Sequence, residues 1–226
     1  AGADLLWQPD GRLFLGATLR PDFGQVESDD LVVSFDAVET LFSEKRPFFT
    51  AQQDLFRVQA PDGTLLVNTR RIGGRPDAGP EGISEIEAAA LASARLGPLQ
   101  AGLLMASESD PDDARGRDFQ LLRLRHGGNG QSQSLLLSRV LRPSLGREAR
   151  VVAVDLRQRL GSGLSLSAVL ARSDADGALP SAVPGGSGRD APGLGLFTSL
   201  DYAPGGRWQH QVFLRSLDRH LDLNDL

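Results

Sequence analysis

Cysteine is absent from this chain, and aromatic residues are sparse, at 6% of 226 residues. The first absence excludes a disulfide scaffold and any thiolate metal site. It suits a bacterial envelope, where a stray thiol would be open to oxidation. Basic charge is not in excess either. A formal net charge of -5 argues against nucleic acid as a partner, because phosphate binding needs a basic face. No apolar run reaches the roughly 18 residues of a membrane helix. A barrel strand needs only about 9–11 residues with one apolar face, so this last absence leaves a membrane barrel open. The start, Ala1-Gly2, brings neither an initiator Met nor a signal peptide, and we expect a processed or excised piece.

What is present is concentrated in two kinds of sequence. Residues 20–56 carry two dense charged clusters and six phenylalanines with no strand alternation. Within them, Ala37, Val38, Leu41 and Phe42 fall at helical spacing, with Asp36 and Glu39 placed as a capping pair and Pro47 as a stop. A short helix is expected there. Residues 57–226 read as strands. Before the insert, Leu13, Leu15, Ala17 and Leu19 alternate with Phe14, Gly16 and Thr18 after the turn Gln8-Pro9-Asp10-Gly11, which predicts a hairpin. A second hairpin is expected from 54–59 and 64–72 around Ala60-Pro61-Asp62-Gly63.

Further strands are expected at 86–96, 99–108, 118–126, 133–141, 148–160, 163–173, 194–202 and 207–217. One face of each is aliphatic: Leu122 and Leu124 oppose Arg123 and Arg125, and Val152, Val154 and Leu156 oppose Asp155, Arg157 and Arg159. Short separators (Gly97-Pro98, 127–130, 142–146, Gly161-Ser162, 203–206) contrast with the long polar stretches 107–117 and 173–193. Short turns at one end and long loops at the other are the layout of an up-and-down barrel in an outer membrane. A soluble sandwich alternates too. Strands near ten residues, beyond the usual mode of about 5–6, favour the barrel. The expected fold is thus all-β, one domain over 1–226: an antiparallel meander, part of an outer-membrane-type barrel, with a short helical insert near the N-terminus.

The stretch Asp22-Phe23-Gly24-Gln25-Val26-Glu27-Ser28-Asp29, then Phe42-Ser43-Glu44-Lys45-Arg46-Pro47-Phe48-Phe49, resembles a family of uncharacterised bacterial envelope proteins. In that family a carbohydrate-binding-module-like sandwich precedes a predicted outer-membrane barrel. Asp54-Leu55-Phe56, Arg70-Arg71-Ile72-Gly73 and the final Leu221-Asp222-Leu223-Asn224-Asp225-Leu226 carry the same resemblance. Arg20, Ser28 and Ser43 depart from the family pattern. The preceding sandwich is missing, and the chain stops where the family continues into further strands. The resemblance therefore implies a portion of a barrel that cannot close alone, since open edges in lipid leave backbone groups unpaired.

Chemistry is thin by comparison. Glu44 with Asp22, Glu27, Asp29 and Asp30 could form the carboxylate pair of a glycoside hydrolase, a reading that depends on a separation no linear spacing reveals. The plainer expectation is an ion-paired insert held in the barrel interior, with Arg70 and Arg71 as partners of the acids. The signature residues are then structural: Asp22, Phe23, Gln25, Glu27, Glu44, Lys45, Arg46, Phe48, Phe49, Arg70 and Arg71. His126, His210 and His220 lack ligand spacing, and Asp110, Asp112, Asp113, Asp218, Asp222 and Asp225 lack the order of a calcium loop, so solvated positions are expected. Ser132, Ser134 and Ser138 sit in no nucleophile elbow. No catalytic residue, metal or cofactor is assigned. The expectation is a non-enzymatic outer-membrane segment serving transport or surface glycan handling. Lipid or detergent is its expected surroundings, with a glycan or an envelope protein as candidate partner. The rivals are a soluble β-rich module that binds carbohydrate or protein, periplasmic or secreted, and a secreted hydrolase.

Overall fold

The computed structural model describes residues 2–21, 44–77, 83–111, 114–177, 190–205 and 208–223. These residues form a single sheet of ten strands in sequence order, every neighbouring pair antiparallel. The strands are β1 (Ala3–Asp10), β2 (Leu13–Leu19), β3 (Glu85–Leu96), β4 (Leu99–Asp110), β5 (Ala114–Gly128), β6 (Gln131–Arg142), β7 (Arg147–Gly161), β8 (Leu164–Asp176), β9 (Asp190–Tyr202) and β10 (His210–Leu217). The fold is all-β, an up-and-down meander. Two one-turn helices, α1 (Pro47–Thr50) and α2 (Gln53–Phe56), lie in the connection between β2 and β3.

Tight turns set the order. Gly97 and Gly163 take the positive φ that a two-residue reversal needs, as do Asn129 and Gly130 between β5 and β6. These turns share one end of the sheet with Gly11-Arg12 and the β9–β10 connection. The opposite end holds the β2–β3 insert, Pro111, Pro143–Leu145 and Gly177. One sequence expectation is corrected here: the short 142–146 separator lies at the end of the longer connections. The strands also run further than expected at that end. β4 continues to Asp110 and β8 to Asp176, so most of the polar stretch 107–117 and both ends of 173–193 lie inside strands. Asp and Ser there are carried by the ladder rather than by a loop.

The second expected hairpin is corrected as well. Its turn exists, with Ala60 N–H donating to the Thr64 carbonyl at 2.8 Å, but its arms reduce to one bridge, Gln59 to Leu65. Residues 53–56 are α2, and Thr69–Arg71 make a 3₁₀ turn whose Asn68 side chain accepts from the Arg70 N–H. The helix expected from Asp36 to Phe42 falls outside the described residues.

The two faces of the sheet differ in kind. Directly paired residues share a face, so the register gives continuous rows. On the inward face Phe14, Leu91, Leu104, Phe119, Leu121, Leu136, Val169 and Phe197 are buried. They pack with Phe48, Phe49, Leu55, Phe56, Leu66 and Ile72 of the insert in one cluster. On the outward face Leu15, Leu103, Met105, Leu137, Val152, Val154, Leu170 and Leu200 are exposed. The sheet is curled around residues 44–77: Phe48 lies beside Gly16 of β2, while Asp62 reaches Arg215 of β10 at 3.4 Å. The core sits between insert and sheet.

Candidate functional site

The insert packs on the apolar part of the inward face, and its hold is built from charge as well as apolar contact. Glu44 and Arg46 form the centre. Arg46 donates through Nε and Nη2 to the two oxygens of Glu44, at 2.8 and 2.7 Å. Its Nη1 and Nη2 also donate to the carbonyls of Ile72 (2.6 Å) and Thr69 (2.8 Å). The Thr69 hydroxyl donates to Glu44 at 2.8 Å. Both charged side chains are buried, so the bidentate fork and the two carbonyls replace the water each has lost. The guanidinium lies 4.3 Å over the Phe49 ring. Pro47 fixes φ at the start of α1, which turns Phe48 and Phe49 into the core right after this clamp. Burial pushes the Glu44 carboxyl up; the hydrogen bonds and charge of Arg46, with the backbone and Thr69 donors, outweigh it and hold the group below its ordinary value.

A second grip comes from the sheet. Glu108 on β4 and Arg117 on β5 pair at 2.8 Å with both side chains buried. Glu108 accepts from the Gly73 N–H, and Arg117 donates to the Arg71 carbonyl at 3.0 Å. Arg142 pairs with Asp77 at 3.1 Å, and Arg71 donates to the Leu223 carbonyl at 2.9 Å. Glycine makes the close approach feasible: a Cβ on Gly102 would come within 2.5 Å of Leu55 and 2.8 Å of Phe56.

Of the expected signature residues, Asp22, Phe23, Gln25 and Glu27 lie outside the described residues. Glu44, Arg46, Phe48 and Phe49 come together with the 69–73 backbone, and Lys45 is exposed. Arg70 and Arg71 are the expected partners of the insert's acids; for Glu44 the described ion-pair partner is instead Arg46, two residues away, because the turn into α1 folds the guanidinium back, and the other acids lie outside the described residues. Asp110 is also corrected, from solvated loop to buried strand end, accepting from the Ser84 hydroxyl at 2.8 Å. Glu108 and Arg117 were missed. Their signal is a charge at an inward-alternating position on each of two adjacent strands.

Towards the tight-turn end the inward face becomes polar and then basic. Arg123 pairs with Asp155, which also accepts from the Ser134 hydroxyl at 3.1 Å. Beyond them a cleft of about 450 Å³ is lined by Arg95, Gln100, Arg125, Ser132 and Arg157. Among the described residues no group of three His, Asp or Glu is placed to hold a metal ion.

The model of a family described as a domain of unknown function, DUF5916, matches residues 1–97. The match covers β1, β2, the insert and β3, and leaves β4 to β10 outside it. No curated protein and no solved structure matches the chain.

Proposed function

We propose that this chain is a run of strands from an outer-membrane β-barrel, with residues 44–77 held in its lumen as a plug, and that its role is the non-enzymatic passage or handling of solutes or glycans at the cell envelope. The observation that carries the reading is the inverted distribution of side chains. Aliphatic residues alternate outward and exposed on strand after strand, while the inward face carries serines, arginines and acids beside the apolar patch that the insert covers. Soluble proteins rarely leave so long a contiguous apolar surface uncovered.

The aromatic residues support it. The sequence has two Trp and one Tyr, and Trp7, Trp208 and Tyr202 are all exposed at or near the tight-turn end. The described phenylalanines are buried, apart from Phe213 on the edge strand. Amphipathic rings gather at a membrane–water interface, whereas phenylalanine follows the core. Strands of 12 to 15 residues from β3 to β9 exceed the roughly 9–11 needed to cross when tilted. The open edges of β1 and β10 then pair with further strands, as closure in lipid demands.

Quenching by brominated lipid tests the reading. The chain reconstituted in liposomes should show tryptophan fluorescence quenched most by bromines near the headgroups and least by bromines at the bilayer centre. Fluorescence insensitive to bromine at every depth, from a chain that stays monomeric without detergent, would contradict it.

A further inference from the structure

The inward cleft at the tight-turn end is more basic than packing requires. Arg95, Arg125 and Arg157 line it, on three alternate strands, and Arg159 lies over its floor, its Nη2 3.3 Å from where a Cβ on Gly130 would stand. None of Arg125, Arg157 and Arg159 has an ion pair among the described residues, and Arg95 packs against the neutral amide of Gln100. The acids nearest in register are already engaged, Asp155 by Arg123 and Ser134 and Asp201 by Ser199 and Gln211. Even so, Arg123 is only 5% exposed, and its Nε and Nη1 meet no acceptor. A chain of net charge -5 thus holds a group of arginines without ion pairs among the described residues in one recess. Like charges held together cost stability, so the arrangement needs a reason other than folding.

We propose that this cleft binds a soluble anion carrying two or more phosphate or carboxylate groups. Guanidinium forks present paired N–H donors in the plane that such oxyanions accept, and two or three forks converging from different strands favour a multiply charged ligand over chloride. Gln100 and Ser132 add neutral donors, and the volume admits a small oxyanion with a sugar-sized body. The arginines alternate to the inward face, away from the apolar exterior, so the anion arrives from solution through the lumen mouth. The assignment rests on the barrel reading for that route alone; the cleft itself belongs to the curvature of the sheet.

Calorimetric titration of the chain in zwitterionic detergent, with inorganic pyrophosphate as probe and sodium chloride at matched ionic strength as reference, tests it. Saturable binding of one pyrophosphate is expected. The double variant Arg125→Gln, Arg157→Gln should weaken it at least about tenfold, the loss of one or more charged hydrogen bonds. Arg172→Gln, on the outward face, should leave affinity unchanged. Because the pair removed is self-repelling, the double variant should melt no lower than the parent and insert into liposomes equally well. Pyrophosphate heats equal to those of chloride, an equal loss in Arg172→Gln, or a lower melting point with binding retained would each overturn the proposal. Normal tryptophan quenching alongside unchanged pyrophosphate binding in the double variant would sink the cleft and leave the barrel standing.

Discussion

The inward and outward faces of the same ten strands obey opposite rules. Outward, Leu103, Leu137 and Val154 stand exposed on β4, β6 and β7, with none of the described residues burying them. Inward, Leu104, Leu136 and Val169 are covered by the insert, and every tier not so covered turns polar or charged. The difference teaches where specificity resides. Apart from charged positions such as Arg139, Glu148, Arg150 and Arg172, the outward face needs only to be apolar, so any aliphatic residue serves at most positions. The inward face must match particular partners: Arg46 to Glu44 and two carbonyls, Glu108 and Arg117 to the backbone at 71–73, Gly102 to Leu55. Substitutions should therefore be costly inside on account of geometry, and costly outside only when they bring charge.

The largest effect is expected from Phe49→Ala. Phe49 is 2% exposed and supports both the aromatic edge contact with Phe48 and the Arg46 guanidinium. Its loss should cost about 3–5 kcal/mol in a denaturant titration, the range for a fully buried aromatic. A cost near zero would mean that the insert does not depend on this packing.

Glu44→Ala follows closely. It removes the bidentate acceptor of a buried guanidinium, at about 3–5 kcal/mol. The pH dependence has a definite sign. The Glu44 carboxyl is held below its ordinary value, so its contribution is complete above the unfolded-state value of about 4.3 and fades as pH falls through the folded value. Acid titration of parent and Glu44→Gln should show the parent losing the larger share of stability below pH of about 4.

Outward, Leu137→Arg stands between Leu122 and Val152 in mid-strand and should reduce insertion into liposomes by about 2–4 kcal/mol. Leu166→Arg should cost less. Leu166 also faces outward, but its register with Gln158 puts it close to the tight-turn rim, where the penalty falls to about 0–1 kcal/mol. Equal effects at the two sites would break the assignment of an apolar band with polar rims. The smallest effect belongs to Arg139→Ala. Arg139 pairs with Glu148 on the outward face beside Arg150, largely in water, and its removal should leave the unfolding midpoint unmoved.

Much of the sheet was legible in the sequence. Asp10-Gly11 and Gly97-Pro98 announced reversals, and the alternation of Leu122 and Leu124 with Arg123 and Arg125 gave the faces correctly. What failed was short or long-range. Leu55-Phe56 fits a four-residue strand as well as a single helical turn; only contact with Gly102 decides between them. Ion-pair choice was also hidden. Arg70 and Arg71 stood out as a doublet, whereas Glu44 found Arg46 locally, and the grip on 71–73 came from Glu108 and Arg117, placed there by the curl of the sheet. The Ser-rich and Arg-rich inward positions were visible one strand at a time. Their convergence into a cleft was not, because it depends on register across five strands.

The central claim, that the aliphatic face meets lipid and the charged face encloses the insert, can be measured directly because the chain has no cysteine. Single cysteines at Leu103, Leu137 and Val154, and at Ser134 and Ser167, would each carry the only spin label in the molecule. In liposomes, the first three labels should be relaxed strongly by oxygen, which concentrates in the bilayer, and weakly by a water-soluble nickel chelate. The labels at Ser134 and Ser167 should show no oxygen preference. Labels at 103, 137 and 154 that are accessible to the chelate, or shielded from both relaxants, would contradict the account.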